Sequence, residues 1–147
     1  LLRQVKRRVM LLHQVLGYSR TADEAVGFAC EYLPQELGVV LDLFHVGNNT
    51  SIFEKIPELL PRIALVQLSD RTTQDPTAKR CKPGSGSIPI QRWFNQLEDN
   101  GYRGLYEVEV FGPHYGPTRY RQLLDDSADC FRKLQSRNLN YRSTSAI

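Results

Sequence analysis

A chain of 147 residues is long enough for one domain to bury a sizeable core without disulfide or metal staples. Hydrophobic residues at 41% and charged residues at 24% are ordinary for a globular protein, and a net charge of +3, from 19 basic against 16 acidic residues, is too weak to imply nucleic acid. No stretch reaches the roughly 18 apolar residues of a membrane span and no signal peptide is visible; Cys30, Cys81 and Cys130, odd in number and without a CxxC pair, argue against a disulfide framework and suit a reducing, cytoplasmic setting.

The chain begins at Leu1 rather than Met, which points to a piece of something longer. Near that start, Arg3, Lys6, Arg7 and Arg8 read as a solvated helix face rather than a phosphate patch. "RRVMLLHQV" (7–15) predicts a short strand. "TADEAVGFACEYL" (21–33) predicts a helix, with Thr21 and Glu24 spaced as a capping box and Ala25, Phe28, Ala29 and Tyr32 on one face. "LGVVLDLF" (37–44), continuous and β-branched, suits a parallel strand covered on both sides. The sequons in "NNTS" (48–51) are read as incidental. "SIFEKIPELL" (51–60) predicts a short helix despite Pro57, and "RIALVQLS" (62–69) another buried strand.

The polar stretch 70–87 is too long for an ordinary connection and is read as a functional or mobile loop. A helix over 88–101, a strand over 104–111 and a helix over 118–136 follow, with residues 137–147 as a flexible tail. Strands alternating with helices imply parallel pairing through crossovers, in either an open doubly wound sheet or a (β/α)8 barrel. Both collect chemistry at the carboxyl ends of the strands. No GxGxxG or Walker loop follows any strand, so the nucleotide-binding version lacks support.

Those strand ends are polar. The first ends in His13 and Gln14; the second ends in Asp42 and continues to His45; the third carries Gln67 and then Asp70; the fourth carries Glu107 and Glu109, which alternate and share a face. Parallel strands would bring these groups to one mouth, where carboxylate, amide and imidazole could surround a hard divalent ion. A competing reading gives each group a local job: an aspartate at a strand end caps the next helix or pairs with an arginine. The coincidence of four such ends favours the metal site.

"GVVLDLFHVG", "ALVQLSD", "KPGSGSIPI" and "GYRGLYEVEV" resemble, in order, successive motifs of the sugar phosphate isomerase/epimerase superfamily, the xylose isomerase-like TIM barrels. The similarity runs from about residue 7 to 136 and implies an α/β fold, a partial (β/α)8 barrel comprising roughly strands four to eight. It implies one divalent metal ion, Mn²⁺ or Mg²⁺ first and Zn²⁺ or Co²⁺ as alternatives, held by Asp42, Gln67 and Glu109, with Glu107 in reserve. His45 and Arg80 would contact substrate, Glu109 and His45 would carry the catalytic roles, and Gly84 and Gly86 would let the backbone pass close to the substrate.

Two departures accompany the resemblance. The first strand offers His13 and Gln14 where the family places a metal-binding Glu. Barrel strands one to three have no counterpart, leaving sheet edges to be covered by an oligomer partner or the remainder of a longer chain. Gln67 stands where the sugar isomerases usually place His, which resembles the 3-dehydroshikimate dehydratase branch. The leading expectation is a metal-dependent isomerase or epimerase acting on a small polyhydroxy carbonyl compound through an enediolate. A dehydratase-like lyase and a non-catalytic barrel remnant serving as an interaction domain are the alternatives. An apurinic endonuclease fits less well, because those sites use more histidines than His13, His45 and His114 supply, and neither nucleic acid nor membrane is an expected partner.

Overall fold

The computed structural model describes residues 9–12, 21–73, 79–111 and 116–144. Four parallel strands form its sheet in the order β1 (Val9–Leu12), β2 (Leu37–Asp42), β3 (Ile63–Leu68) and β6 (Leu105–Val108). The register sets Val9 opposite Leu37, Asp42 opposite Gln67, and Gln67 opposite Glu107. Helical segments connect the strands, so the expected crossovers are present and the sheet is a partial barrel.

All six residues of β2 are buried, as its unbroken apolar run implies for a central parallel strand. The strand stops at Asp42, not at 44: the Asp42 carboxylate accepts from the Phe44 N–H at 2.9 Å and starts the short helix α2 (Leu43–Val46).

Helix α1 (Ala22–Cys30) has the expected capping box, with Glu24 N–H donating to Thr21 Oγ1 at 3.2 Å and Thr21 N–H to Glu24 Oε2 at 3.3 Å. The face it buries differs from expectation. Ala22, Ala25 and Ala29 turn inward, whereas Phe28 and Tyr32 stay 47% and 43% exposed and pack on each other, ring centroids 5.4 Å apart. Alanines let the helix lie close to the sheet, and that spacing leaves no room for an aromatic ring. The Arg62 guanidinium closes the end of α1, donating to the carbonyls of Ala29 and Tyr32.

The helix expected over 51–60 is two short ones, α3 (Thr50–Glu54) and α4 (Ile56–Leu59), followed by a 3-10 turn at Leu60–Arg62. Pro57 has no N–H to continue α3, so the chain breaks at Lys55 and Pro57 falls in the first turn of α4. Asn49 of the "NNTS" stretch caps α3, accepting from Ile52 N–H at 3.1 Å.

Helix α5 (Ile90–Asp99) buries Ile90, Trp93, Phe94 and Leu97, a single stripe at helical spacing. The stripe lies against Leu41, Val66 and Leu68 of the sheet and makes the main core with Ile52, Ile56 and Leu134. Trp93, 1% exposed, meets Phe53 edge to face at 5.1 Å and gives its indole N–H to the Gly47 carbonyl at 2.8 Å. Helix α6 (Pro117–Thr144) extends beyond the expected end at 136 and is helical through Thr144, into the stretch read as a tail.

The long polar stretch is partly structured. Two-residue strands β4 (Asp70–Arg71) and β5 (Arg80–Cys81) pair antiparallel, with Arg71 opposite Arg80. Consequently β3 pairs directly with β6 in the sheet, and the ribbon stands beside it. The outer side of β6 has no neighbour among the described strands, and Leu105 there is 73% exposed.

Candidate metal and substrate site

Register alone places three polar side chains in one row. Asp42, Gln67 and Glu107 sit at matching positions on adjacent parallel strands, and Glu109, two residues further, shares the face of Glu107. The ladder continues past β6, since Glu109 N–H donates to the Leu68 carbonyl at 3.0 Å. Gln67 gives an Nε2 hydrogen to Glu107 Oε2 at 3.0 Å, which leaves its carbonyl oxygen as the end a cation could use.

The cation present in this row belongs to the chain itself. Arg80, 7% exposed, donates from Nη1 to Asp42 Oδ1 at 3.1 Å and from Nη2 to Asp42 Oδ2 at 2.6 Å, a two-pronged buried pair. The same Nη2 lies 3.1 Å from Glu109 Oε2, and Nη1 also donates to Ser69 Oγ at 2.7 Å. The rings of Phe44 and Phe111 flank the guanidinium, 4.4 and 5.4 Å from centroid to Cζ. His45 Nε2 is 3.5 Å from Asp42 Oδ2, at the more open side of the pair.

Glu109 is the least satisfied member. Its Oε2 is buried and, despite the nearby Arg80 nitrogen, has no hydrogen bond of acceptable geometry. Burial raises the Glu109 carboxyl above its ordinary range; Arg80 pulls it down, and the charges of Asp42 and Glu107 push it up again. A carboxylate so placed is suited to gaining an extra cationic partner or to holding a proton.

Asp70 does a different job from the one its position suggested. Fully buried, it accepts from the backbone N–H groups of Arg71 and Ile88 through Oδ1, at 2.8 and 2.9 Å, and from Gly84 and Gly86 through Oδ2, at 3.1 and 2.8 Å. It thereby clamps the "PGSGS" loop to the ribbon that carries Arg80. Gly84 has a φ of 80°, and a Cβ on Gly86 would fall 2.2 Å from the Arg71 carbonyl oxygen, so the loop requires glycine at both positions.

The structure therefore brings together Asp42, His45, Gln67, Arg80, Glu107 and Glu109. His13 and Gln14 lie outside the described residues, as does His114. Ser69, Phe44 and Phe111 are additions that sequence reasoning missed. No group of three or more His, Cys, Asp or Glu side chains is arranged to hold a metal among the described residues. The donors present are two carboxylates and an amide oxygen, with Glu107 beside them. That set fits a hard divalent ion in kind, and the buried Glu109 oxygen, ion-paired to Arg80 but without a hydrogen bond, is consistent with it. Arg80 takes the position such an ion would need on Asp42. None of the three cysteines is in a disulfide, and no helix among the described residues is long and apolar enough to cross a membrane.

Comparison with known proteins identifies the family and the fold. The profile of the family described as xylose isomerase-like TIM barrel matches residues 6–134. An inosose isomerase of Halalkalibacterium halodurans is 28% identical over 143 residues, covering 89% of this chain and 50% of the relative. Among solved structures, a xylose isomerase-like TIM barrel/4-hydroxyphenylpyruvate dioxygenase fusion protein superposes with a TM-score of 0.73 at 24% identity, over 94% of this chain and 24% of that one. An IolI protein with a bound zinc atom superposes with a TM-score of 0.67 at 21% identity, over 80% of this chain and 44% of that one. The chain thus spans about half the length of the curated relative it matches. It belongs to the xylose isomerase-like TIM barrel family.

Proposed function

We propose that the chain contributes the Asp42, Gln67 and Glu109 side of a divalent-metal site in an isomerase or epimerase of small polyhydroxy carbonyl compounds. The observation that carries this reading is the row Asp42–Gln67–Glu107 in strand register, with the buried Glu109 oxygen, ion-paired to Arg80 but without a hydrogen bond, next to it. The inosose isomerase similarity and the zinc-bearing IolI structure support the same class of chemistry and of cofactor. Mn²⁺ and Mg²⁺ suit this oxygen-rich set better than Zn²⁺ or Co²⁺.

A bound divalent ion would polarise a substrate carbonyl and stabilise the enediolate formed when the neighbouring proton leaves. The chain's own residues supply the rest. Glu109, next to the Asp42–Gln67–Glu107 row, would take and return the proton. His45, on the open side of Asp42, orients a substrate oxygen. Arg80 adds a second positive group for a hydroxyl or anionic substituent, and the Asp70 clamp fixes the loop that presents it. A further ligand would come from His13 or from chain beyond these residues. Sheet edges would be covered by an oligomer partner or by the rest of a longer protein.

The neutral amide of Gln67 in the ligand row keeps a dehydratase-like lyase as the second reading, since both reactions begin with proton removal beside a carbonyl. Incubating the full-length protein and Mn²⁺ with inosose, L-ribulose and 3-dehydroshikimate, with products followed by NMR, tests both. Exchange of the proton beside the carbonyl with solvent deuterium supports the shared step. Absence of exchange on all three counts against it.

A further inference from the structure

Arg80 does more at this site than a substrate contact needs. Its guanidinium covers both oxygens of Asp42 with two hydrogen bonds, shares Nη2 with Glu109, is tethered by Ser69 and is flanked by two aromatic rings. A cation bound to Asp42 and Glu109 would meet the carboxylate oxygens that Arg80 hydrogen-bonds on Asp42 and faces at 3.1 Å on Glu109. Two positive centres on the same carboxylates repel each other strongly in a buried site, so each weakens the other's hold.

From this overlap, and resting on the metal reading above, we propose that Arg80 is a built-in competitor for the divalent ion, a displaceable internal cation that occupies Asp42 and Glu109 until the ion takes them. Loading then frees the guanidinium from Asp42 and turns it toward the open side, by His45. The site becomes competent for substrate in a fixed order, metal first. The arrangement also bears on how a two-carboxylate site can fold: Arg80 neutralises the buried Asp42 and stands 3.1 Å from Glu109. Ser69, fully buried, is the tether that sets how firmly Arg80 competes.

The test is calorimetric titration of Mn²⁺ into the full-length protein, its Ser69→Ala variant and its Arg80→Met variant, each checked for folding by circular dichroism. The proposal expects tighter Mn²⁺ binding in Arg80→Met, by roughly tenfold or more, and a smaller gain in Ser69→Ala. Ser69→Ala keeps every charge, so it remains decisive if Arg80→Met fails to fold. In the wild-type protein, Mg²⁺ titration should shift the Arg80 guanidinium NMR resonance and speed its exchange with water. Equal Mn²⁺ affinity in wild type and variants overturns the competitor role while leaving the metal site standing. Weaker binding in Arg80→Met overturns it too, and makes Arg80 a supporting group instead. No Mn²⁺ binding in any of the proteins overturns both the competitor role and the metal reading beneath it.

Discussion

Asp42 and Arg80 meet through two hydrogen bonds, at 2.6 and 3.1 Å, with side chains only 2% and 6% exposed. Asp42 also caps α2 through Phe44. One carboxylate thus ends a strand, starts a helix and neutralises a buried arginine. Asp42→Asn should destabilise the fold by about 3 kcal/mol or more, since it strands a buried guanidinium with Glu109 and Ser69 alone. Asp42→Asn with Arg80→Met should cost clearly less than the two single changes added together, by about 1–3 kcal/mol. Urea unfolding of the four proteins measures this, and additive costs would show that the pair is not coupled.

Asp70 is the second structural pivot. Asn at this position keeps one acceptor oxygen and turns an amide group toward backbone N–H donors that Oδ2 now satisfies. Asp70→Asn should therefore destabilise by roughly 2–4 kcal/mol and loosen the "PGSGS" loop. Hydrogen exchange at the Gly84 and Gly86 amides would report the loosening directly. Unchanged protection at both amides would contradict the clamp.

Trp93 ties α5 to the turn after α2. Trp93→Phe removes the indole N–H that the Gly47 carbonyl accepts and shrinks the contact with Phe53. A loss of about 2–3 kcal/mol is expected, combining a buried unsatisfied carbonyl with a small cavity. Thermal unfolding followed by circular dichroism tests the size of the effect.

Alkaline pH should unfold the chain through its buried tyrosines. Burial, and then the Glu98 charge, raise the Tyr102 phenol from 10.0 to about 12, and the same causes raise Tyr106 further. A raised phenol pKa means that the folded state keeps protons which the unfolded state loses. The stability is fully present below pH 10.0 and is lost as pH climbs from there through about 12. Tyrosinate absorbance and far-UV circular dichroism should change together in that window. Ionisation of all tyrosines near their ordinary value, with the fold intact, would contradict the burial.

Much of this molecule was legible in its sequence. The run 37–44 read as a covered parallel strand, which it is as far as Asp42, and Thr21 and Glu24 announced their capping box. Phe28 and Tyr32 misled because helical spacing shows which residues share a face, while the closeness of α1 to the sheet decides how large they can be. Asp42 was legible as a polar strand end, and both of the local jobs that such a residue can do turn out to be real. Its pairing with Arg80 spans 38 positions across a loop whose path no local pattern encodes. Ser69 carries no signal at all, since a serine after a strand is ordinary until an arginine is seen to lean on it. The clamp by Asp70 could have been suspected from an aspartate followed by a glycine-rich loop, whose backbone N–H groups need an acceptor.

If Asp42 and Glu109 hold a divalent ion, as proposed, Mn²⁺ calorimetry on the full-length protein will register the loss of either carboxylate. Folded Asp42→Asn and Glu109→Gln variants should each lose at least tenfold in Mn²⁺ affinity, about 1.4 kcal/mol or more. Wild-type affinity in both variants would rule out a metal-binding role for these two carboxylates.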